Sequence, residues 1–457
     1  MYSVRHYAGE RARRSESFKI ISWDSLAYLY LISTFALPQY FGIPLPGFAL
    51  TAHRLVTIFF LFTLSFSKAY SRLFLWNLIG SEATFFMLPL LVVYTYTAIA
   101  VSSINTVAGF LVDMFLTFYL ALFSIKEVLG VKRSLQLIVK LVAVVCLLSI
   151  YDMFRRYNPY ELLHTIKSIE AGGGWRANSY RVAGVCGHPI SYGMYLMLAL
   201  PIICIDPDKQ RFNLLQHPVT LFLMALAMLG TGSRGPLACF TGECIVFFVL
   251  SDRNYKKKHS GTIMFLIVVI LFLLIIFNKE RHIDRWFWLN VCQIIDQVFG
   301  THFTLDRYGY WQYAMSMNST DYRAELTQLF FAPELNPFLG RGNQGDAISF
   351  VSGGFLIESI DNFYVLQYIR YAWPGVFATV FCFAGLAYRC ITSWRKCGKN
   401  PVFLSFFVAF CAYYINLWTV AELGTMKFYL AIFAIVCALQ TSWTGGSKSL
   451  RDVESSR

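Results

Sequence analysis

Long apolar segments recur along the whole of this 457-residue chain, separated by short polar ones. A helix needs about 20 mostly apolar residues to cross the hydrocarbon core of a bilayer. Because lipid offers backbone groups no hydrogen-bonding partner, such segments are expected to be helical. The sequence therefore predicts an all-α, polytopic integral membrane protein with about 12 transmembrane helices in a single domain, residues 1–457. The predicted spans are residues 25–41, 55–66, 85–100, 107–125, 135–151, 190–205, 214–229, 236–250, 263–277, 363–388, 403–417 and 426–439.

The composition excludes several other classes of protein. Hydrophobic residues make up 56% of the chain, charged residues 14%, and the mean hydropathy is +0.52, outside the range of ordinary soluble globular proteins. The net charge of +13 would suit nucleic acid, but the basic residues are dispersed between apolar runs and form no groove-reading motif, so no nucleic acid is expected as a partner. The 11 cysteines fall mostly inside predicted spans and form no CxxC pair. Neither a metal site nor a disulfide framework nor a cofactor is expected.

Lys and Arg residues are densest in alternate segments between the predicted spans, with the strongest clusters at residues 126–133, 253–258 and 389–399. Cytoplasmic loops are enriched in Lys and Arg, so these segments are predicted to be cytoplasmic and both termini to lie inside. The basic N-terminus precedes an apolar stretch without a small-residue cleavage site, which predicts a retained first span. The expected location is the cytoplasmic (inner) membrane.

Two of the predicted outer segments are long, residues 152–187 and 278–360, whereas every predicted cytoplasmic loop is short. The larger one precedes the tenth span. Functional residues collect on long structured loops. The working surface of the protein is therefore predicted to face outward.

Among the basic residues of the predicted outer segments, which run against the usual charge bias, three arginines are candidates for a site: Arg181, Arg234 and Arg323. A guanidinium fork binds phosphate groups well, so these residues predict an anionic ligand such as a diphosphate. A simpler explanation is open for Arg181, whose stem would lie in lipid while its head group reaches water. The glycines and proline around Arg234 explain a turn, but they do not explain an arginine at its centre.

The segment 180–189 contains Arg181 and ends in Gly187, His188 and Pro189. Glycine followed by proline near a first helical turn predicts an abrupt change from loop to helix. A helix that begins there would direct free N–H groups toward Arg181 and favour phosphate; a membrane-entry turn is the alternative. His188 is predicted to cap or pack rather than bind a metal, because no second ligand lies at a useful spacing.

Residues 340–345 read as a literal GxGxxG, with Arg341 between the first two glycines. This stretch follows Pro337 rather than a strand and opens no βαβ unit, which excludes a dinucleotide site. A tight glycine loop near a lipid head group is predicted instead.

Asp361 and Asn362 precede the tenth span, and Arg370 lies inside it. Asp commonly caps a helix N-terminus, and the residues alone favour that role for Asp361. A carboxylate beside arginines would alternatively accept a proton from an attacking hydroxyl group.

Three charged residues fall inside predicted spans, where they are unfavourable unless paired or hydrated. Asp113 lies near the outer end of its span and is a candidate to join the site. Lys140 lies nearer the cytoplasmic end, from which its side chain could reach water. The third is Glu243, in the predicted span 236–250.

Taken in order, these segments resemble the O-antigen ligase and O-antigen polymerase superfamily, whose members have a similar number of spans and a large outer loop before the third-last one. The matching stretches are residues 181–201, 231–236, 323–345 and 361–375. In ligases the last stretch reads His, then Asn, Ser or Gln, nine residues, Gly, two residues and Gly. Here Asp361 stands in place of the His and Ala372 in place of the first Gly, whereas Gly375 matches the second. The departures favour the polymerase branch, since the related cell-wall glycan polymerases also use an outer-face carboxylate.

The resemblance implies a polysaccharide polymerase, acting on O antigen, exopolysaccharide or capsule, that is a metal-independent, inverting glycosyltransferase. Glycan on polyprenyl diphosphate is the implied donor and a lipid-linked repeat unit the acceptor. Membrane lipids, a chain-length regulator and a flippase are the other implied partners. Asp361 would remove the acceptor proton, while Arg181, Arg234 and Arg323 would hold the diphosphate. The other candidate substrate contacts are His188, Arg341, Asn362 and Arg370.

Two other functions fit part of the pattern. A ligase that transfers glycan to a lipid A core belongs to the same superfamily; its loss leaves no glycan on the surface, whereas loss of a polymerase leaves single repeat units. Secondary transport is the other function, because membrane proteins with about 12 spans are often secondary transporters. Transporters of the commonest type have two similar halves joined by a cytoplasmic loop, whereas here the long insertions are predicted to face outward.

Overall fold

The computed structural model describes residues 22–45, 48–101, 104–167, 169, 174–176, 179–257, 261, 288–289, 291–293, 295–296, 299–310, 314, 322–342, 360–421 and 424–444. This part of the chain is mainly helical. The helices are α1 (Trp23–Phe35), α2 (Ala52–Ser65), α3 (Lys68–Gly80), α4 (Glu82–Ala100), α5 (Ile104–Phe110), α6 (Leu116–Phe123), α7 (Val131–Arg155), α8 (Pro189–Ile203), α9 (Pro218–Thr231), α10 (Arg234–Leu250), α11 (Phe303–Tyr308), α12 (Phe363–Lys396), α13 (Pro401–Leu417) and α14 (Met426–Trp443).

Short irregular elements connect these helices. Two π-helical turns, Leu111–Phe115 and Ser124–Leu129, flank α6, and 3-10 turns lie at Pro159–Leu163, Gly184–Cys186 and Thr327–Phe331. The strands described form three antiparallel hairpins: β1 (Gly42–Leu45) with β2 (Phe48–Thr51), β3 (Gly174–Arg176) with β4 (Ser179–Arg181), and β5 (Ile205–Asp206) with β6 (Arg211–Phe212).

Five helical segments are long and apolar enough to cross a membrane: Glu82–Ala100, Val107–Leu129, Val131–Arg155, Phe363–Lys396 and Met426–Trp443. The helices α2 and α3 pass the same test together, with a bend of 118° between them, and would make a sixth span. Helices α8, α9 and α13 are apolar but shorter. The prediction of a helical membrane protein is thus confirmed, with five or six such segments among the residues that the structure describes.

Two parts of the prediction need separate comment. The apolar run at 55–66 predicted one straight span, but it forms only the first half of the bent pair, because the chain turns sharply and continues as α3. Helix α3 carries Lys68 and Arg72, which end the apolar pattern in the sequence. The predicted span 263–277 and most of the loop 278–360 lie outside the described residues.

Helix α8 lies in the interior of the bundle. All of its residues except Ile190 are buried, as expected for a helix that is apolar on every side. It packs against α7, α9, α10, α13 and α14. Gly193 allows close contact with α10, since a Cβ at this position would lie 2.6 Å from Cβ of Pro236. The first turns of α8 and α10 are therefore neighbours.

Contacts between helix termini define two ends of the bundle. Arg133, near the start of α7, lies 3.9 Å from Asp24 at the start of α1. At the other end Gln39, after α1, donates a hydrogen bond of 2.7 Å to the carbonyl oxygen of Gly424, before α14. We call the first the Arg133 end and the second, where Arg181 also lies, the Arg181 end. The candidate site residues lie at the Arg181 end.

Candidate functional site

Arg181 lies at the end of β4 and is largely buried, with 9% of its surface exposed. Its Nε donates to the carbonyl oxygen of Thr231 at 2.9 Å, and its Nη2 donates to Oγ of Ser233 at 2.7 Å. The backbone N–H of Val182 donates to the carbonyl oxygen of Gly230 at 2.9 Å, which fixes the strand against the same turn. Two segments that the sequence singled out separately are therefore in direct contact.

The turn that receives Arg181 joins α9 to α10. Gly232 ends α9 in the left-handed conformation, with φ 62°, which glycine adopts without strain. Ser233 precedes α10 but makes no capping hydrogen bond through its side chain, because its Oγ accepts from Arg181. Arg234 is the first residue of α10 and lies at the positive end of the helix dipole. A cation at this position is stabilised by a nearby anion, not by the helix itself.

Arg181 also has a structural role. Thr231 is the last residue of α9, and the final carbonyl groups of a helix lack partners within it. A guanidinium group bound there compensates the negative end of the helix dipole. Loss of Arg181 would thus loosen the junction between α9 and α10 as well as remove a positive charge.

Helix α8 begins close to this junction. Pro189 is its first residue, as the residue pattern predicted. His188 occupies the cap position but makes no side-chain capping bond; its Nδ1 lies 3.4 Å from Oγ of Ser191. Gly184, with φ 51°, has no room for a side chain because a Cβ would lie 2.8 Å from the ring of Tyr192. The predicted abrupt loop-to-helix transition is confirmed. His188 was predicted to cap or to pack, and of these two roles the side-chain cap is not formed.

The strand that carries Arg181 is anchored by an acid that the sequence did not single out. The hydroxyl of Tyr180 donates to Oδ1 of the fully buried Asp152 at 2.6 Å. Burial raises the pKa of Tyr180, and the hydrogen bond and charge of Asp152 raise that pKa further, so the phenol remains a donor. Asn158 also contributes, since its Nδ2 donates to the carbonyl oxygen of Gly184 at 3.0 Å. An Asp directly after an apolar run was the available signal.

The start of α12 corrects one prediction. Asn362, not Asp361, caps the helix: its Oδ1 accepts from the backbone N–H groups of Tyr364 and Val365 at 3.0 and 3.2 Å. Asn362 is fully buried. Asp361 lies one residue earlier and is partly exposed. Because the capping role belongs to Asn362, Asp361 needs a different explanation.

Helix α12 is interrupted at Ala372, whose φ of 55° and ψ of −164° are not helical. This region of backbone space is open almost only to glycine and costs other residues about 1–3 kcal/mol. Pro374 follows two residues later, and a proline has no N–H for the preceding turn. The break leaves the carbonyl groups of Ile369 and Arg370 to partners outside the helix.

Those partners come from the glycine loop. The backbone N–H of Arg341 donates to the carbonyl oxygen of Ile369 at 2.9 Å, and that of Gly342 to the carbonyl oxygen of Arg370 at 2.8 Å. Gly340 packs directly on the backbone of Arg370, which leaves no space for a Cβ. The glycine loop predicted near a lipid head group is described as far as Gly342. Its closest contact is the broken helix, however, and its third glycine lies outside the described residues.

Arg323 belongs to a different part of the site from Arg181 and Arg234. It lies in a helical turn at residues 322–326, next to the 3-10 turn Thr327–Phe331. The buried side chains of this segment form an apolar cluster with the first half of α12; its members include Leu326, Leu329, Val365, Leu366 and Ile369. Arg323 is thus grouped with Asp361, Arg341 and Arg370.

The C-terminal end of α13 lies between the two groups. On one side, the hydroxyl of Tyr364 donates to the carbonyl oxygen of Tyr414 at 3.1 Å, and its ring lies 5.6 Å from that of Trp418. On the other side, a Cβ at Gly235 would lie 2.9 Å from Oδ1 of Asn416. The two arginine groups therefore flank one helix end. Arg181 and Arg234 share a turn, whereas Arg323 lies on the α12 side.

The charged residues inside spans have different surroundings. Asp113 is paired: Nε of Arg54 donates to its Oδ1 at 2.8 Å, and Nη2 of Arg54 donates to its Oδ2. Lys140 is exposed on the surface of α7. Glu243 is 1% exposed, and within the described residues neither of its carboxyl oxygens has a hydrogen-bonding partner.

No model of a known protein family matches the chain, and no curated protein matches it significantly. The geometry at the Arg181 end therefore carries the functional argument. Within the described residues, no group of three or more His, Cys, Asp or Glu side chains could hold a metal ion. Among the described residues, arginine side chains and helix N-termini contribute positive charge at this end.

Proposed function

We propose that the protein is a polysaccharide polymerase. It transfers glycan from polyprenyl diphosphate to a lipid-linked repeat unit at the outer face of the cytoplasmic membrane. The observation that carries this proposal is the junction at Ser233, where Arg181 and Arg234 meet the N-terminus of α10 beside that of α8. Guanidinium groups and helix N-termini are the two protein features that bind phosphate best.

The proposed arrangement in the membrane has twelve spans. They comprise the five long apolar segments, the bent pair, helices α1, α8, α9, α10 and α13, and the segment 263–277. The Arg181 end faces outward, because the described basic residues of the clusters at 126–133, 253–257 and 389–399 belong to the opposite end and would be cytoplasmic. Both termini are then cytoplasmic.

Arg181 and Arg234 hold the donor diphosphate, and Arg323 approaches it from the α12 side. The bond between the anomeric carbon of the donor glycan and the phosphate oxygen breaks, and its electron pair passes to the departing diphosphate. The arginines stabilise that charge more strongly in the transition state than in the ground state. His188, at the start of α8, is a further proposed contact to the same group.

Asp361 is the proposed general base. An acceptor hydroxyl oxygen attacks the anomeric carbon from the face opposite the diphosphate, while Asp361 takes the hydroxyl proton, so the configuration inverts. This role is supported by the finding that Asn362 supplies the helix cap. Arg341 and Arg370, around the same half of α12, are the proposed acceptor contacts, whereas the fully buried Asn362 acts through the cap of that helix.

The backbone at Ala372 supports the resemblance to the ligase and polymerase superfamily. The ligase motif has glycine at this position, and here the chain has a positive φ of 55°, which glycine adopts most readily. The motif thus corresponds to a physical requirement for a break in α12.

The test is lengthening of lipid-linked repeat units by the purified, full-length protein. The expected result is a ladder of longer lipid-linked chains, absent with Asp361→Asn. If glycan is transferred only to a lipid A core acceptor, the protein is a ligase. If neither product forms and the units instead cross a vesicle membrane, it is a transporter.

A further inference from the structure

Helix α3 lies across one end of the bundle. It follows α2 after a bend of 118°. Near its start, the ring of Tyr70 lies 4.2 Å from that of Trp23, the first residue of α1. Near its end, Nδ2 of Asn77 donates a hydrogen bond of 3.1 Å to Oε1 of Glu127, in the π-helical turn before α7. Both halves of α3 therefore contact the Arg133 end, where α1 and α7 begin.

The two faces of α3 differ. On the inner face Phe74 and Asn77 are buried, and the ring of Phe74 lies 6.0 Å from that of Phe123 at the end of α6. The outer face presents five exposed side chains at helical spacing: Lys68, Arg72, Leu75, Trp76 and Ile79. We call these five residues the outer face of α3. Its first half is basic and its second half is apolar.

The two cations of the outer face lack compensation from the protein. Among the residues that the structure describes, no carboxylate forms an ion pair with Lys68 or Arg72. The two residues are four apart in the helix, so their positive charges lie on neighbouring turns and repel each other. An anion placed against this face would compensate both charges.

The apolar half of the same face indicates which anion fits. Leu75, Trp76 and Ile79 are 52%, 61% and 77% exposed, and a contiguous apolar surface of this kind is unfavourable in water. The end of α2 continues that surface, with Phe62 and Phe66 also exposed. Helices that lie in a membrane surface place Trp and Leu at the boundary of the acyl chains, while Lys and Arg reach the head groups.

We propose that α3 is an interfacial helix whose outer face binds anionic phospholipid in the leaflet at the Arg133 end. Lys68 and Arg72 contact the phosphate of the head group. Leu75, Trp76 and Ile79 enter the upper part of the acyl layer. Under the proposed orientation this leaflet is the cytoplasmic one. Binding of the lipid does not depend on glycan transfer, because it needs only the bilayer that surrounds the protein.

The first test compares phosphatidylglycerol, which is anionic, with phosphatidylcholine, which has no net charge. Native mass spectrometry of the full chain titrated with each lipid gives the two affinities. Wild type should bind its first phosphatidylglycerol about thirtyfold more tightly, as two cations at a membrane surface provide. Lys68→Gln combined with Arg72→Gln should lose that preference, whereas Arg72→Lys alone, which keeps the charge, should retain it.

A matched control removes two cations elsewhere. Lys140→Gln combined with Arg155→Gln changes the net charge equally, and both residues are exposed on α7. This variant should keep the preference for phosphatidylglycerol. A second measurement locates the lipid: a phosphatidylglycerol with a photoreactive acyl chain should label residues 75–79 in wild type and in the control. Labelling there should be lost when Lys68 and Arg72 are both replaced by Gln.

Three outcomes would overturn the proposal. An unchanged preference in the variant with both Gln substitutions would mean that anionic lipid binds elsewhere. Labelling confined to other segments would mean that the apolar half of α3 does not enter the acyl layer. The amine of Lys68 should react more slowly with a water-soluble acylating reagent in phosphatidylglycerol nanodiscs than in detergent. Equal rates would show that the outer face is open to water, as a docking face for another protein would be.

Discussion

Nη2 of Arg181 donates a hydrogen bond of 2.7 Å to Oγ of Ser233. The bond joins the end of the first long inter-span segment to the residue that precedes α10. It places a guanidinium group between the C-terminus of α9 and the N-terminus of α10. The position of Arg181, and with it the charge of the proposed diphosphate site, depends on this contact.

Ser233→Ala tests that dependence. The substitution leaves a donor of a buried, charged group without its acceptor, which costs about 1–3 kcal/mol. We expect a lower melting temperature in detergent and a lower rate of chain lengthening. Thr241→Ala is the matched control, because Thr241 is an exposed residue of α10 that bonds only its own helix, to the carbonyl oxygen of Leu237. Equal effects of the two substitutions would exclude a special role for the Arg181–Ser233 bond.

Replacement of each site arginine by lysine tests whether charge alone is sufficient. Arg181→Lys, Arg234→Lys and Arg323→Lys keep the charge but lose the forked geometry. We expect roughly 100- to 1,000-fold slower transfer from the lipid diphosphate donor, in the range seen when one transition-state donor is removed. Arg72→Lys, at an exposed position of α3, should have no effect. Normal polymer length in all three site variants would contradict a diphosphate clamp.

The adjacent residues Asp361 and Asn362 should have separable effects. Asp361→Asn should reduce chain lengthening by about 100- to 10,000-fold, as expected for loss of a general base, with little change in melting temperature. Asn362→Ala should lower stability by about 0.5–2 kcal/mol because it removes the cap of α12. Asp306→Asn, at an exposed position in the same predicted loop, is the control for loss of a carboxylate. Wild-type activity in Asp361→Asn would exclude Asp361 as the base.

The amino-acid sequence predicted the helices better than it predicted the contacts between them. The lengths of the apolar runs were sufficient for α4, α7 and α12. The sequence favoured Asp361 as the cap of α12. Asp and Asn cap helices about equally well, however, so the choice between two such neighbours depends on how the preceding chain enters the helix. The sharp turn from α2 to α3 was missed because polar residues after an apolar run also predict an ordinary loop.

Pairs that are distant in the chain were beyond prediction. Arg54 and Asp113 are 59 residues apart, and Tyr180 and Asp152 are 28 residues apart. The sequence showed Asp113 as a charged residue inside a predicted span, but no local pattern indicated Arg54 as its partner or Tyr180 as the partner of Asp152. That Arg181 belongs with the turn after α9, and Arg323 with α12, follows from helix packing and not from any local pattern.

Ala372→Gly tests the break in α12. Ala372 has a φ of 55°, so glycine should relieve part of about 1–3 kcal/mol of backbone strain and raise the melting temperature. Ala378→Gly is the matched control, because Ala378 is also buried in α12 but has an ordinary helical environment. There glycine should destabilise by about 1 kcal/mol. A lower melting temperature for both variants would argue that α12 is continuous at residue 372.

Gly340→Ala tests the contact between the glycine loop and the broken helix. A Cβ at residue 340 would overlap the backbone at Arg370, and backbone cannot move aside as a flexible side chain can. The substitution should therefore displace the loop and remove the hydrogen bonds that Arg341 and Gly342 donate to α12. At about 0.5–1.5 kcal/mol for each bond, stability should fall by roughly 1–3 kcal/mol, and chain lengthening should fall because Arg341 and Arg370 separate.

Gly242→Ala in α10 is the control, since nothing lies within 4 Å of a Cβ there, and alanine is the better helix former. Protection of the Arg341 and Gly342 amides from hydrogen exchange should be lost only in Gly340→Ala; unchanged protection would mean that the loop does not dock on α12.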